Sequence, residues 1–368
     1  MNTKKLIRAA LAMIIAVMYF TMTFASASAM TSAQQTKDDK TSYPGLDKKI
    51  VLEDGTLDVI ASINAGDVVD FRLISNVPQD LTNFLKPDDV NDPIHGRREI
   101  GANPINEGKY ELAFHDVMAA ELAFNNDIVV KVNGKELPTE LYTINVPTDG
   151  CTFEVQMDLV AIYEAVDANN EPYFTEADFG IAPITVDYSA TSANDLVAGA
   201  YTNEAWVTYD VAATTAAGLG TSEHVVVTVY TCAVDIFKFD QADNAPLAGA
   251  EFILGTALNE DGTIVTEGAI TGVSDEAGSL VFGGLKAGTY YLQETAAPVG
   301  YVCNDTVQTI VLNADLVNYT YTIDFANVEI PHTGGTGTIL FTVGGAAVIA
   351  LAVVAFVITR RKNSSVEE

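Results

Sequence analysis

The 368-residue chain carries 49 Asp and Glu against 19 Lys and Arg, a formal net charge of −30. That field repels a polyphosphate backbone and excludes nucleic acid as a partner. Three cysteines (Cys151, Cys232, Cys303) are too few for a disulfide framework, and the four histidines (His95, His115, His224, His332) lack ligand spacing, so neither a metal nor a cofactor is expected.

Residues 1–29 open with Lys4, Lys5 and Arg8, continue through "AALAMIIAVMYFTMTF" and close on "ASASA". A basic start, an apolar core and an A-x-A site predict a secretory signal peptide cut after Ala29. Residues 30–43, "MTSAQQTKDDKTSY", are polar and without periodicity, which predicts a flexible leader.

From residue 44 to 231, period-two segments alternate with turn residues: "TLDVIASINAGDVVDFRLIS", "KYELAFHD", "DIVVKVNGKEL", "YTINVPTDGCTFEVQM" and "NEAWVTYDV". Short strands at such spacing predict a β-sandwich. "QMDLVAIYEAVDAN" is the main helical candidate, "VPQDLTNFL" a turn of helix, and "PDDVNDPIHGRRE" (87–99) an exposed loop. Alternation puts Leu46, Lys48 and Ile50 on one face, Tyr110, Leu112, Phe114 and Asp116 on another, and Tyr201, Asn203, Ala205 and Val207 on a third. Lys48, Asp116 and Asn203 are thus polar residues in apolar rows. Lys49 remains an alternative to Lys48, because a slip of one residue flips the face. His115 points away from Asp116 and receives no role.

Residues 232–329 form a second series: "CAVDIFKFD", "GAEFILG", "SLVFGGLKAGTYYLQETAAPVGY", "TVQTIVLN" and "NYTYTIDFANVEI". The fold class expected is all-β, with two tandem immunoglobulin-like β-sandwiches meeting near residue 231. Val234, Ile236 and Lys238 share a face, as do Tyr290, Leu292 and Glu294, and Ile323, Phe325 and Asn327. Whether Cys232 and Cys303 pair stays open. An unpaired glutamate costs at least several kcal/mol to bury, so three polar residues on inward faces call for a partnership. Burial lowers a lysine pKa and raises a glutamate pKa. Lys238 then becomes a neutral amine and nucleophile. Glu294 becomes a neutral acid able to donate to the Asn327 amide oxygen and to shuttle a proton to leaving ammonia. The product is a side-chain amide tying the first strand to the last.

"IPHTGG" (330–335) follows the last strand, and "GTILFTVGGAAVIALAVVAFVIT" fills a predicted membrane-spanning helix over 336–359. Arg360, Arg361 and Lys362 begin a basic tail, 360–368, that stays cytoplasmic.

"YYLQETAAPVGY" resembles the E-box of Gram-positive pilins, and residues 232–329 resemble a collagen-adhesin B-type (Cna-B, SpaA-like) domain. The resemblance implies an isopeptide lysine at Lys238, a catalytic glutamate at Glu294 and an isopeptide asparagine at Asn327. "GDVVDFRL", "NVP", "FHDVMAAEL" and "NEAWVTY" resemble the fimbrial isopeptide-forming D2-type domain, implying a second crosslink between Lys48 and Asn203 with Asp116 as proton relay. The ordered motif, span and basic tail resemble an LPXTG-type sorting signal, with Ile330 for leucine, then Pro331, Thr333 and Gly334. That implies cleavage between Thr333 and Gly334 by a sortase, whose cysteine takes the threonyl group, and transfer to peptidoglycan or a neighbouring pilin subunit. The membrane holds the chain only before sorting. No Tyr-Pro-Lys motif, which supplies the accepting lysine in related backbone pilins, occurs, so backbone, base and accessory roles all remain open.

The function expected is a structural one, a pilin subunit exposed on the cell wall of a Gram-positive bacterium. The alternative is a wall-anchored adhesin whose first domain binds a host ligand. No nucleophile elbow or phosphate loop is present, and a crosslink made once on its own side chains is not an enzyme activity.

Overall fold

The computed structural model describes residues 43–85, 108–147, 150–211 and 218–331. The predicted signal peptide, almost all of the leader, the 87–99 loop, Thr333, Gly334, the 336–359 span and the basic tail lie outside them. Among the described residues no helix is long and apolar enough to cross a membrane.

Strands dominate, and their inward rows follow the period of two. In Val68–Asn76 the buried positions are Val69, Phe71, Leu73 and Ser75, and in Gly199–Val211 they run Tyr201, Asn203, Ala205, Val207 and Tyr209. One sheet of the first body orders Leu57–Asp58, Asp47–Val51, Val68–Asn76, Pro183–Ser192, Val129–Val132 and Lys135–Glu136. The facing sheet runs Val225–Asp240, Gly199–Val211, Glu111–Met118, Phe153–Asp158 and Tyr142–Asn145. Their inner faces share one apolar core, seen where Phe153 of one sheet meets Tyr188 of the other edge-on at 4.8 Å. The helical candidate shortens to a single α-helix, Leu159–Glu164, because its first residues continue the strand Phe153–Asp158. Asp158 ends that strand and caps the helix, accepting from the amides of Val160 and Ala161 at 3.0 and 3.4 Å. The turn expected in 77–85 is a 3₁₀ helix, Gln79–Asn83.

A second core gathers Cys232, Val234, Ile236, Phe252, Leu254, Leu292, Ile310 and Phe325. One wall places Ser279–Leu285, Val225–Asp240, Thr320–Glu329 and Tyr301–Val302 side by side. The other orders Ile270–Val273, Glu251–Gly255, Gly288–Ala296 and Gln308–Leu312. The 16-residue strand Val225–Asp240 belongs to both bodies. Its first half pairs with Gly199–Ala205, its second with Thr320–Asn327 in parallel, so residue 231 falls inside a continuous strand.

Candidate functional site

In the first body, Lys48 sits on Asp47–Val51 of one sheet while Asp116 and Asn203 sit on adjacent strands of the other. Alternation turns Lys48 inward beside Ile50 and leaves Lys49 half-buried on the outer face, opposite Arg72. Lys48 Nζ donates to Asp116 Oδ2 at 2.6 Å and to Asn203 Oδ1 at 2.5 Å across the sandwich. All three side chains are shut off from solvent, Lys48 at 1%, Asp116 at 0% and Asn203 at 1% exposure. Phe71 and Tyr188 wall the amine, their ring centroids 5.8 and 5.9 Å from Nζ. Burial pulls the Lys48 pKa down to about 8 against the opposing pull of Asp116. It also pushes the Asp116 carboxyl above its ordinary range, Lys48 opposing. Both shifts favour the uncharged pair, an amine beside a carboxylic acid.

A fourth residue completes the cluster. Tyr188 Oη donates to Asp116 Oδ2 at 2.5 Å and accepts from Asn203 Nδ2 at 3.1 Å. Sequence reasoning did not single it out, although its parity with Ile184, Val186 and Ala190 in Pro183–Ser192 marks it as inward-facing. A buried tyrosine hydroxyl needs a partner, but nothing local says which one. His115 lies on the opposite face from Asp116, stacked on Trp206 at 5.1 Å, with His224 on the far side of the indole at 4.4 Å.

In the second body, Lys238 and Asn327 stand on neighbouring parallel strands, since Lys238 pairs with Phe325 and Asp240 with Asn327. Glu294 reaches them from the facing sheet. Lys238 Nζ lies 3.8 Å from Glu294 Oε1 and donates to the Phe325 carbonyl at 3.0 Å. Exposure is 0% for Lys238 and Glu294 and 1% for Asn327. Burial lowers the Lys238 pKa, with Glu294 opposing. Asn327 differs from the expected orientation. Its Nδ2 donates to Glu294 Oε2 at 2.8 Å and to the Val302 carbonyl at 2.7 Å, so the acid faces the amide nitrogen rather than the oxygen. The Val302 carbonyl can only accept, which selects this orientation. Glu294 Oε2 also takes the Asn304 amide at 2.7 Å, leaving Glu294 Oε1 and Asn327 Oδ1 buried without a hydrogen bond. Oε1 is the oxygen that faces the amine.

Cys232 and Cys303 are not joined. Cys232 is in the core with its thiol toward the Asn313 carbonyl, and Cys303 is exposed near the Glu294 carbonyl. Ile330 and Pro331, at the start of the predicted sorting motif, are exposed. The Ile330 amide donates to the Gly300 carbonyl at 2.7 Å, tying Ile330 to the second body.

Residues 232–327 match the SpaA prealbumin-like fold domain, and residues 326–365 match the LPXTG cell wall anchor motif. No curated protein sequence is significantly similar to the chain. Among solved structures, the 35 kDa C-terminal fragment of the major pilin of Streptococcus agalactiae aligns at 20% identity and a TM-score of 0.51, covering 77% of this chain and 99% of the fragment. The major pilin subunit of Bacillus cereus aligns at 19% identity and a TM-score of 0.46, covering 78% and 71%. The pilus backbone of Streptococcus pneumoniae aligns at 13% identity and a TM-score of 0.49, covering 78% and 100%. The chain is a cell-wall-anchored surface protein built on the all-β fold of Gram-positive pilin subunits.

Proposed function

We propose that this sortase-processed pilin subunit is locked internally by two autocatalytic isopeptide bonds, Lys48 to Asn203 and Lys238 to Asn327. The carrying observation is the burial of two complete lysine–acid–asparagine sets in otherwise apolar cores. Left unreacted, each set keeps an amine and an acid out of water for little net gain. Reacted, each turns the buried amine into an amide, leaves the carboxyl as it was and adds a covalent tie.

In each set the neutral amine attacks Cγ of the asparagine, forming the Nζ–Cγ bond and pushing the carbonyl pair onto Oδ1. One proton passes from the amine by way of the carboxyl group, which gives up its own proton as it takes the amine's. Collapse breaks the Cγ–Nδ2 bond, and the nitrogen leaves with the proton given up, as ammonia. The Glu294 contact with Asn327 Nδ2 suits the last step, since the acid already touches the leaving group. Each set reacts once and consumes itself, so the chain is a structural protein and not an enzyme.

Sortase would cut after Thr333 and pass the threonyl carbonyl to a peptidoglycan amine or to a lysine of a neighbouring subunit. The domain division that accompanies this reading is 44–231 and 232–329, followed by the motif at 330–335. The intact protein should weigh less than its processed sequence by two ammonia molecules, with tryptic peptides joining Lys48 to Asn203 and Lys238 to Asn327. An intact mass equal to that of the unreacted sequence overturns the proposal.

A further inference from the structure

The first cluster holds one more acidic group than the crosslinking reaction formally requires. Lys48 Nζ, Asp116 Oδ2, Tyr188 Oη and the Asn203 amide close a ring of contacts of 2.6, 2.5, 3.1 and 2.5 Å. Asp116 touches the attacking amine, yet the atom within hydrogen-bond reach of the leaving nitrogen is the Tyr188 hydroxyl. In the second body the acid itself makes that contact. From this difference we infer that Tyr188 is a second proton carrier of the first crosslink, passing to the departing Asn203 nitrogen the proton that Asp116 takes from Lys48. The inference rests on the isopeptide reading of the first body.

The proton count closes. Attack forms Nζ–Cγ and leaves one amine proton to be passed on. Collapse of the adduct breaks Cγ–Nδ2, the nitrogen takes the Tyr188 proton, Asp116 gives its own proton to the phenolate oxygen, and the Asp116 carboxylate takes the amine proton. Ammonia leaves, and Tyr188 and Asp116 end as they began. No water is needed, which fits a buried tyrosine whose ring packs against Phe71, Phe124 and Phe153. A phenol also suits this place because it can donate and accept in one concerted passage.

The test follows crosslinking in the full chain, made by cell-free synthesis in detergent micelles and sampled over time by mass spectrometry of tryptic peptides. Tyr188→Phe keeps the ring and removes the relay. The Lys48–Asn203 link should form about a hundredfold or more slower, on the scale of a lost general acid, while the Lys238–Asn327 link keeps its wild-type rate. Tyr188→difluorotyrosine keeps shape and hydroxyl but makes the phenol more acidic, and should change the first rate several-fold. A wild-type rate in Tyr188→Phe overturns the inference. So does a wild-type rate in the fluorinated chain, which would leave Tyr188 a packing residue; this arm also decides the matter if Tyr188→Phe fails to fold. A wild-type chain that never forms the first link removes the isopeptide reading of that body, and this inference with it, a result distinguishable from both.

Discussion

At the residue scale, six polar side chains divide into two geometries for the proposed reaction. Lys48 crosses from sheet to sheet to reach Asn203, whereas Lys238 reaches a neighbour in its own sheet and only the acid comes from the opposite wall. Glu294→Gln should stop the second link, since an amide cannot carry the proton, while nearly preserving the contacts to Asn304 and Asn327. Intact mass should then fall short of the sequence by one ammonia instead of two, and a persisting Lys238–Asn327 peptide counts against the role of the acid. The first link should also depend on pH in a fixed direction. With its pKa pulled down to about 8, Lys48 is increasingly protonated below that value and loses its nucleophilic pair. Time courses at stepped pH should show the Lys48–Asn203 rate falling by roughly tenfold per unit on the acid side and levelling on the alkaline side. A flat profile from pH 6 to 9, on the order of that whole window, would mean that deprotonation of the amine does not limit the bond.

At the scale of elements, the end of the shared strand is held by its neighbours before any bond forms. The Lys238 amide donates to the Gly278 carbonyl at 2.6 Å, and the Lys238 carbonyl accepts from Leu247 at 3.0 Å. Gly278 has a φ of +69°, and a Cβ there would stand 2.2 Å from the Lys238 carbonyl oxygen. Gly278→Ala therefore strains the turn and displaces the reactive strand at once. Measured by thermal unfolding in the Glu294→Gln chain, where no covalent tie masks the effect, it should cost about 1–3 kcal/mol. With Glu294 intact, it should lower the yield of the second link. An unchanged melting temperature would show that the turn relaxes without moving Lys238.

Across the whole molecule, the strand Val225–Asp240 links the two clusters: Asn203 lies opposite Val227 on its first half, and Lys238 is near its end. With the proposed Lys238–Asn327 bond in place, a pull entering at Asn327 would pass through it into a strand common to both bodies. The junction is otherwise direct. The Ala65 amide donates to the Gly284 carbonyl at 2.8 Å and the Lys286 amide to Asn64 Oδ1 at 2.9 Å. Gly284, at φ +66°, leaves room that a Cβ would fill 2.6 Å from the Ala65 methyl. Removing both acids, in Asp116→Asn with Glu294→Gln, should make the chain trypsin-sensitive and lower its melting temperature. Each lost tie is comparable to a loop-closing disulfide, about 2–5 kcal/mol. Resistance equal to wild type would mean that packing alone holds the bodies. Thr333→Ala should leave the protein uncleaved in the membrane fraction. Its release from the wall by muramidase, with the tail gone, would break the sorting assignment. Wall extracts of the unaltered protein should run as a high-mass ladder if subunits polymerise, and as a single band if each is anchored alone.

Legible in the chain alone were the inward parity of Asp116, Asn203, Lys238, Glu294 and Asn327, and the order of motif, span and basic tail, whereas the choice of Lys48 over Lys49 needed the register with Val68–Asn76. Parity is local, because successive side chains in a strand must take opposite faces, and a charged residue in an apolar row is visible without a fold. Which residues share a cluster is not a local property. Lys48 and Asn203 are 155 positions apart, and their meeting depends on how two sheets stack rather than on either strand's pattern. The same holds for Tyr188, whose hydroxyl has no partner within its own strand, and for the Asn327 amide, whose orientation follows from a carbonyl 25 residues away. The continuity of Val225–Asp240 was equally hidden. Its inward parity switches at Thr231–Cys232, from Val227 and Val229 in the first core to Val234 and Ile236 in the second, and the strands that flank each half are set by the packing around it.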